Sequence, residues 1–117
     1  MTHRIERINT EIRRELSELI QRHIKDPRID SFVTVTEVIT SADLRYAKVY
    51  VSSIAGQEQE ASITGVLNDA AGFLRTELAR TIKIRRTPEL TFIWDNSIER
   101  GDRILRLLDE ISGENPD

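Results

Sequence analysis

Ile63-Thr64-Gly65-Val66-Leu67-Asn68-Asp69-Ala70-Ala71-Gly72-Phe73-Leu74-Arg75-Thr76-Glu77-Leu78 is the stretch on which the architecture turns. Its apolar residues Ile63, Val66, Leu67, Ala70, Leu74 and Leu78 recur at spacings of three and four, which describes one helical face reaching about Thr81. Gly72 falls inside that stripe. Glycine in a helix interior costs roughly 1 kcal/mol relative to alanine, so its presence implies a kink, a break into two helices or close backbone packing. A kink at Ala70-Ala71-Gly72 is the expectation.

From the kink onward the charge changes sign. Residues 70 to 88 hold Arg75, Arg80, Lys83, Arg85 and Arg86 against one acid, Glu77, whereas residues 29 to 69 carry two bases and six acids and residues 89 to 117 three and eight. The net charge of -3 conceals this segregation. A basic island in an acidic chain points to an anionic partner. It ends at Pro88, directly before Glu89-Leu90-Thr91-Phe92-Ile93-Trp94-Asp95, where Leu90, Phe92 and Trp94 alternate as in a strand.

Upstream, Phe32 to Thr40 is dense in β-branched residues, and Tyr46-Ala47-Lys48-Val49-Tyr50-Val51-Ser52 alternates, with Ala47, Val49 and Val51 facing the core. Ser41-Ala42-Asp43-Leu44-Arg45 has turn-forming residues and is short enough for a hairpin, so the two strands are expected to be antiparallel neighbours. At the start of the chain Ile5, Ile8, Ile12, Leu16, Leu19 and Ile20 form the stripe of a long amphipathic helix, expected to stop near Lys25 because Pro27 restricts Asp26. Asp26-Pro27-Arg28-Ile29 reads as its exit turn, and Gly56 sits in a loop. Ser97 is in place to cap a short last helix carrying Ile98, Ile104, Leu105, Leu108 and Ile111, with residues 113–117 fraying. The fold class is therefore α+β: helix, two strands, a kinked helix pair and a strand, with a terminal helix added, and helices on one face of a three-stranded sheet. Residues 1–112 make one domain.

This order is similar to that of a type II K-homology (KH) domain, an RNA-binding module with a Gly-x-x-Gly turn between two helices. That turn is absent, and Ala70-Ala71-Gly72 stands at the junction. Asp26-Pro27-Arg28-Ile29, the run from Asp43 to Ser52, and Pro88-Glu89-Leu90-Thr91-Phe92 resemble the bacterial ribosome-binding factor A family, over roughly Ile5 to Leu108. The resemblance implies a non-enzymatic assembly factor binding the small (30S) ribosomal subunit and its 16S rRNA late in maturation. It further implies contact near the processed end and 5′-terminal helix of that RNA, support of growth in the cold, and other assembly factors and GTPases acting alongside. The family's Ala-x-Gly interruption maps onto Ala70 and Gly72, setting the angle between the two helical halves. Without the first glycine the backbone approaches a phosphate less closely, so side-chain cations should carry binding.

Arg75, Arg80, Lys83, Arg85 and Arg86 are the main RNA-binding candidates, and Arg45 and Lys48 beside the hairpin are of second rank. Arg85 and Arg86 lie in a connector where intrahelical pairing cannot absorb them, and Arg80 has Thr76, not an acid, four residues before it. Arg4, Arg7, Arg13 and Arg14 have Glu11, Glu15 and Glu18 as local partners and read as ordinary helix surface. Tyr46, Tyr50, Phe92 and Trp94 could stack on bases, but core or sheet packing is the commoner role for a few aromatics, and it is favoured for Phe92. Trp94, near the strand end, is left open between the two.

Several classes fall away. There are no cysteines, hence no disulfide, thiolate metal site or cysteine nucleophile, and His3 and His23 lack partners at metal-ligand spacing. No cofactor is expected. No run approaches the ~18 apolar residues of a membrane span, and charges at Arg4, Glu6, Arg7 and Glu11 argue against a signal peptide, so the expected compartment is the cytoplasm. Nothing demands a dimer, and a monomer is expected. Two competing readings remain: an interaction module whose island docks an acidic protein, and a small hydrolase built on Asp43 and Asp95.

Overall fold

The computed structural model describes residues 2–26, 33–53 and 57–96. Helix α1 spans Thr2–His23, and Ile24 still donates its backbone N–H to Ile20 before Asp26. Strands β1, Thr34–Thr40, and β2, Tyr46–Ser52, pair antiparallel, with Thr40 opposite Ala47 and Thr34 opposite Ser52. A bulge between Val35 and Glu37 shifts the register by one residue, and that extra residue lets Val35 and Val38, an odd number of positions apart, both face the core. A 3-10 turn at Gln57–Gln59 leads into α2, Glu60–Asp69, which is followed by α3, Ala71–Thr81, and β3, Glu89–Trp94. β3 lies parallel to β2, giving the order β1-β2-β3. The expected Phe32 start of β1, the exit turn beyond Asp26, the Gly56 loop, the Ser97-capped terminal helix and the tail at 113–117 lie outside the described residues.

One layer of helices covers one face of the sheet. Ile12, Leu16, Leu19 and Ile20 of α1, Ile63 and Leu67 of α2 and Leu74 and Leu78 of α3 are buried against Val49, Val51 and Phe92. Each such side chain contributes about 1.5–3 kcal/mol by leaving water, so the three stripes hold the layers together. Ala47, Val49 and Val51 all face this core, as their alternation requires, and Trp94 joins it at the strand end. Among the described residues no element covers the opposite face, where Ile39, Tyr46 and Lys48 are exposed and Tyr50 and Ile93 half-buried.

The helix pair is divided at Ala70, not bent at Gly72. Ala70 has φ -91° and ψ 3°, the bridge region, and its N–H is shared between the carbonyls of Val66 and Leu67 at 3.1 Å each. Its own carbonyl accepts from Leu74 at 2.9 Å and opens α3. One residue thus ends one helix and begins the next. The expected kink is a complete break, because an alanine can reach the bridge region without a steric penalty that only glycine escapes.

Gly72 is exposed, and a Cβ placed on it would meet nothing within 4 Å. Close backbone packing therefore does not explain it. Gly72→Ala should raise stability by about 0.4–1 kcal/mol, chiefly by restricting the unfolded chain, and urea unfolding with an unchanged slope would show it.

Asn68 is a support that periodicity did not reveal. Its side-chain oxygen accepts from the Phe92 N–H at 2.8 Å, and its side-chain nitrogen donates to the Phe92 carbonyl at 3.1 Å. The end of α2 is tied to the middle of β3 by both hydrogen bonds. Asn68→Leu should cost about 1–3 kcal/mol, since it leaves two partly buried backbone groups without partners, and its midpoint in urea should fall well below that of Gly72→Ala.

Candidate nucleic-acid interface

Apolar anchors decide which way the connector between α3 and β3 presents its cations. Ile82 closes α3 with extended geometry and is buried, Ile84 is half-buried against the core, and Pro88 is fully buried. Lys83, Arg85 and Arg86 lie between those anchors and are exposed. Arg75 fixes the far end, donating from Nε and Nη2 to the Thr87 carbonyl at 3.1 and 2.9 Å. Two donors of a planar guanidinium are thus spent on backbone, and Arg75 holds the connector against α3 as much as it offers charge.

The hairpin turn is held as firmly. The Ser41 hydroxyl donates to Asp43 Oδ1 at 2.7 Å and accepts from the Arg45 and Tyr46 N–H groups at 3.2 and 3.0 Å. Asp43 Oδ1 also accepts from the Arg45 N–H at 3.1 Å, and Oδ2 lies 3.6 Å from the Arg45 guanidinium. The Ser41 hydrogen bond foremost, then the Arg45 N–H and the Arg45 charge, hold the Asp43 carboxyl below its ordinary value. The sign is that of a lowered acid. The support that Asp43 gives the turn is present above the ordinary carboxylate pKa and is lost as pH falls through the lowered one.

Leu44 adopts φ 60° yet is buried. For a leucine this backbone is unfavourable, and burial of its side chain holds it there. Tyr46, immediately beyond, is 57% exposed on the open sheet face. The Arg45 carbonyl accepts from the Glu89 N–H at 2.8 Å, so the turn is stitched to the start of β3.

These segments meet at one end of the molecule. Arg4 from α1, Arg45 from the turn and Arg85 and Arg86 from the connector line a depression of about 660 Å3, together with Asp43, Ile5, Ala42 and Leu44. Arg86 also borders a second depression with Arg45, Tyr46, Arg75 and Glu89, and a third with Arg75, Arg80 and Thr87. Arg86 is common to all three.

Arg4 was expected to be ordinary helix surface, but the fold brings it to this cluster, and among the described residues it makes no ion pair. The first turn of α1 holds no acid, so a cation there opposes the helix dipole. That unfavourable placement was the one sign of it in the sequence.

Other candidates stand apart. Arg80 pairs with Glu77 at 3.7 Å, three residues before it, so looking only four residues back missed its partner. The pair is largely exposed on the arginine side and holds Arg80 weakly. Lys83 is exposed but lines none of these three depressions, and Lys48 stands between Ile39 and Thr91 on the open sheet face.

The junction at Ala70-Ala71-Gly72 is also remote from Arg85 and Arg86. The next residue, Phe73, meets His23 at the end of α1 with ring centroids 5.5 Å apart, whereas Arg4 near its start shares the depression with the connector. Nineteen helical steps separate His23 from Arg4, a distance of about 28 Å. Asp43 and Asp95 are as poorly placed for joint chemistry. Asp43 lies in the turn before β2, while the Asp95 N–H donates to Val51 at the far end of that strand and its carboxylate accepts from the Thr36 hydroxyl. Five residue steps along the strand from Tyr46 to Val51 separate the two ends by about 17 Å, which removes the hydrolase reading as a shared carboxylate site.

The family model for ribosome-binding factor A matches residues 4–108. The chain belongs to the ribosome-binding factor A family. It is 50% identical over 112 residues to ribosome-binding factor A of Acetivibrio thermocellus, covering 96% of this chain and 91% of that one. The Dehalococcoides mccartyi protein of the same name is 44% identical over 117 residues, covering 100% and 99%.

Among solved structures, a putative ribosome-binding factor A from Thermotoga maritima aligns with TM-score 0.69 and 36% identity, covering 79% of this chain and 87% of that one. A Thermus thermophilus ribosome-binding factor A homology model, fitted into the cryo-EM map of a complex of that factor with the 30S subunit, aligns with TM-score 0.62 and 32% identity over 75% and 91%. The α-β-β-α-α-β domain with its mixed sheet is thus the KH-like fold of the ribosome-binding factor A structures. Two of the sequence blocks that carry the family resemblance, Asp43 to Ser52 and Pro88 to Phe92, are neighbours across the parallel β2–β3 pair. Their shared starting end is where the arginines gather.

Proposed function

We propose that this chain is a non-enzymatic assembly factor that binds the small ribosomal subunit through its rRNA, using the arginine-rich end of the domain as the contact surface. The observation that carries the proposal is convergence: three separate segments of an acidic chain place Arg4, Arg45, Arg85 and Arg86 around one depression. Guanidinium groups suit phosphate because their planar donors match its oxygens. Family membership and the 30S complex of the Thermus thermophilus relative support the small subunit as the partner. The finer reading is action late in maturation, near the processed 5′ region of the rRNA and in the cold, by a cytoplasmic monomer alongside other assembly factors and GTPases. Tighter binding to one subunit conformation than to another is enough to bias assembly, and no catalytic group is required.

Co-sedimentation of the purified protein with immature and mature small subunits tests this. Pelleting with subunits at moderate salt is expected, and absence from both pellets would overturn the proposal. If an acidic protein were the true partner, capture from extract would survive nuclease treatment.

A further inference from the structure

We infer that the arginine-lined depression, with Tyr46 beside it, is a site for unpaired nucleotides rather than for the backbone of an RNA duplex. This rests on the RNA-binding reading above and narrows it. The lining is the reason. Arg4, Arg45, Arg85 and Arg86 are joined there by half-buried Ile5 and exposed Ala42, with Leu44 buried behind them.

A surface built only for phosphates needs no apolar component. Duplex RNA offers phosphates and 2′-hydroxyls and keeps its bases stacked inside, whereas an unpaired nucleotide brings an apolar base face together with its charge. An apolar wall bordered by guanidinium groups matches the second shape. Among the described residues Asp43 is the one carboxylate in the lining, and its hydrogen bonds with Ser41 and Arg45 make it part of the turn.

Tyr46 supplies the independent observation. Its ring is 57% exposed while its backbone is pinned, by Ser41 on one side and by the pairing of its strand with β3 on the other. A rigid backbone carrying an exposed aromatic is a stacking platform for a base. The depression that Tyr46 borders also holds Arg45 and Arg86, so a strand whose phosphates sit on those arginines passes the ring. Glu89, opposite Tyr46 across the parallel pair, repels phosphate and accepts from exocyclic amino groups, which directs a base rather than the backbone to that side. The site lies at the end of α1 opposite to Phe73 and the Ala70-Gly72 junction, and so is separate from the place where a KH domain carries its glycine turn.

The test uses the full chain and a short fluorescein-labelled single-stranded RNA, free or annealed to its complement, with affinities read by anisotropy. The single strand is expected to bind at least about tenfold more tightly than the duplex, and Tyr46→Ala to remove about tenfold of that affinity. Duplex binding should change less than twofold in that variant, and Tyr46→Phe should bind like the parent because it keeps the stacking face. Thermal melting checks that both variants are folded. Equal or tighter duplex binding, no measurable binding of either RNA, or an unchanged Tyr46→Ala variant would each overturn the inference. If the parent protein still pelleted with small subunits in those cases, the assembly-factor reading would stand; loss of pelleting would sink both.

Discussion

Reversing Arg45 and Arg86 together to glutamate should weaken association with small subunits at least a hundredfold. These two residues border both the large depression and the one beside Tyr46, so no other pair removes as much of the shared surface. Hydrogen bonds to charged groups contribute about 1.5–3 kcal/mol each, and two of them amount to two or more factors of ten in affinity. The salt dependence should flatten as well, by about 1.4 to 1.8 in log-log slope for two lost phosphate contacts. Lys48→Glu is the control. It changes charge on the open sheet face, outside the depressions lined by the arginines, and should have a much smaller effect. A parallel loss in Lys48→Glu would mean that net charge, not the arginine cluster, governs binding; sedimentation across a salt series separates the two.

Leu74→Ala is expected to have the largest effect on stability, about 2–5 kcal/mol, from lost burial and the cavity left behind. Leu74 is fully buried, one turn beyond the break at Ala70, where its helix packs on both α1 and β3. A small domain has about 5–15 kcal/mol in total, so this one truncation should consume a large share of it. Its neighbour Phe73 is 46% exposed, and Phe73→Ala should cost under about 1 kcal/mol. The contrast tests the phase of α3 set by the break at Ala70. Similar urea midpoints for the two variants would place the wrong face of α3 against the sheet.

The sequence was most readable where burial alone decides local structure. Ala47, Val49 and Val51 alternate because one sheet face is covered and the other is not, and the hairpin follows from a connection of five residues that includes the turn formers Ser41 and Asp43. Trp94 was left open by its place near a strand end, and packing under the helical layer resolved it as core. The helix pair is legible as interrupted at Ala70-Ala71-Gly72, but not as fully broken or as turning on Ala70 alone. Gly72 draws attention because it lacks a side chain, whereas Ala70 makes the break through a backbone conformation that its identity does not announce.

The candidate interface was half legible. Arg85 and Arg86 stood out by charge and by their place in a connector, and the structure sets them in the cluster. Arg4 could not be assigned from spacing, since its nearness to Arg86 depends on where α1 begins relative to a turn some forty residues later. Arg75 shows the reverse difficulty: charge marks it as a contact, while geometry engages it with the Thr87 carbonyl. Pairwise rules along a helix see neither case.

The Asn68 clamp bears on how this protein behaves among many copies of itself. Among the described residues β3 is an outer strand, and the Glu89 and Asp95 N–H groups donate inward to β2, which turns those of Leu90 and Phe92 outward. Such a row is a template for strand addition by another chain. Asn68 occupies its centre by imitating the donor and acceptor of a neighbouring strand. A second molecule would have to displace that amide before it could add along this edge, so solubility at high concentration and not only folding should decline when Asn68 is replaced.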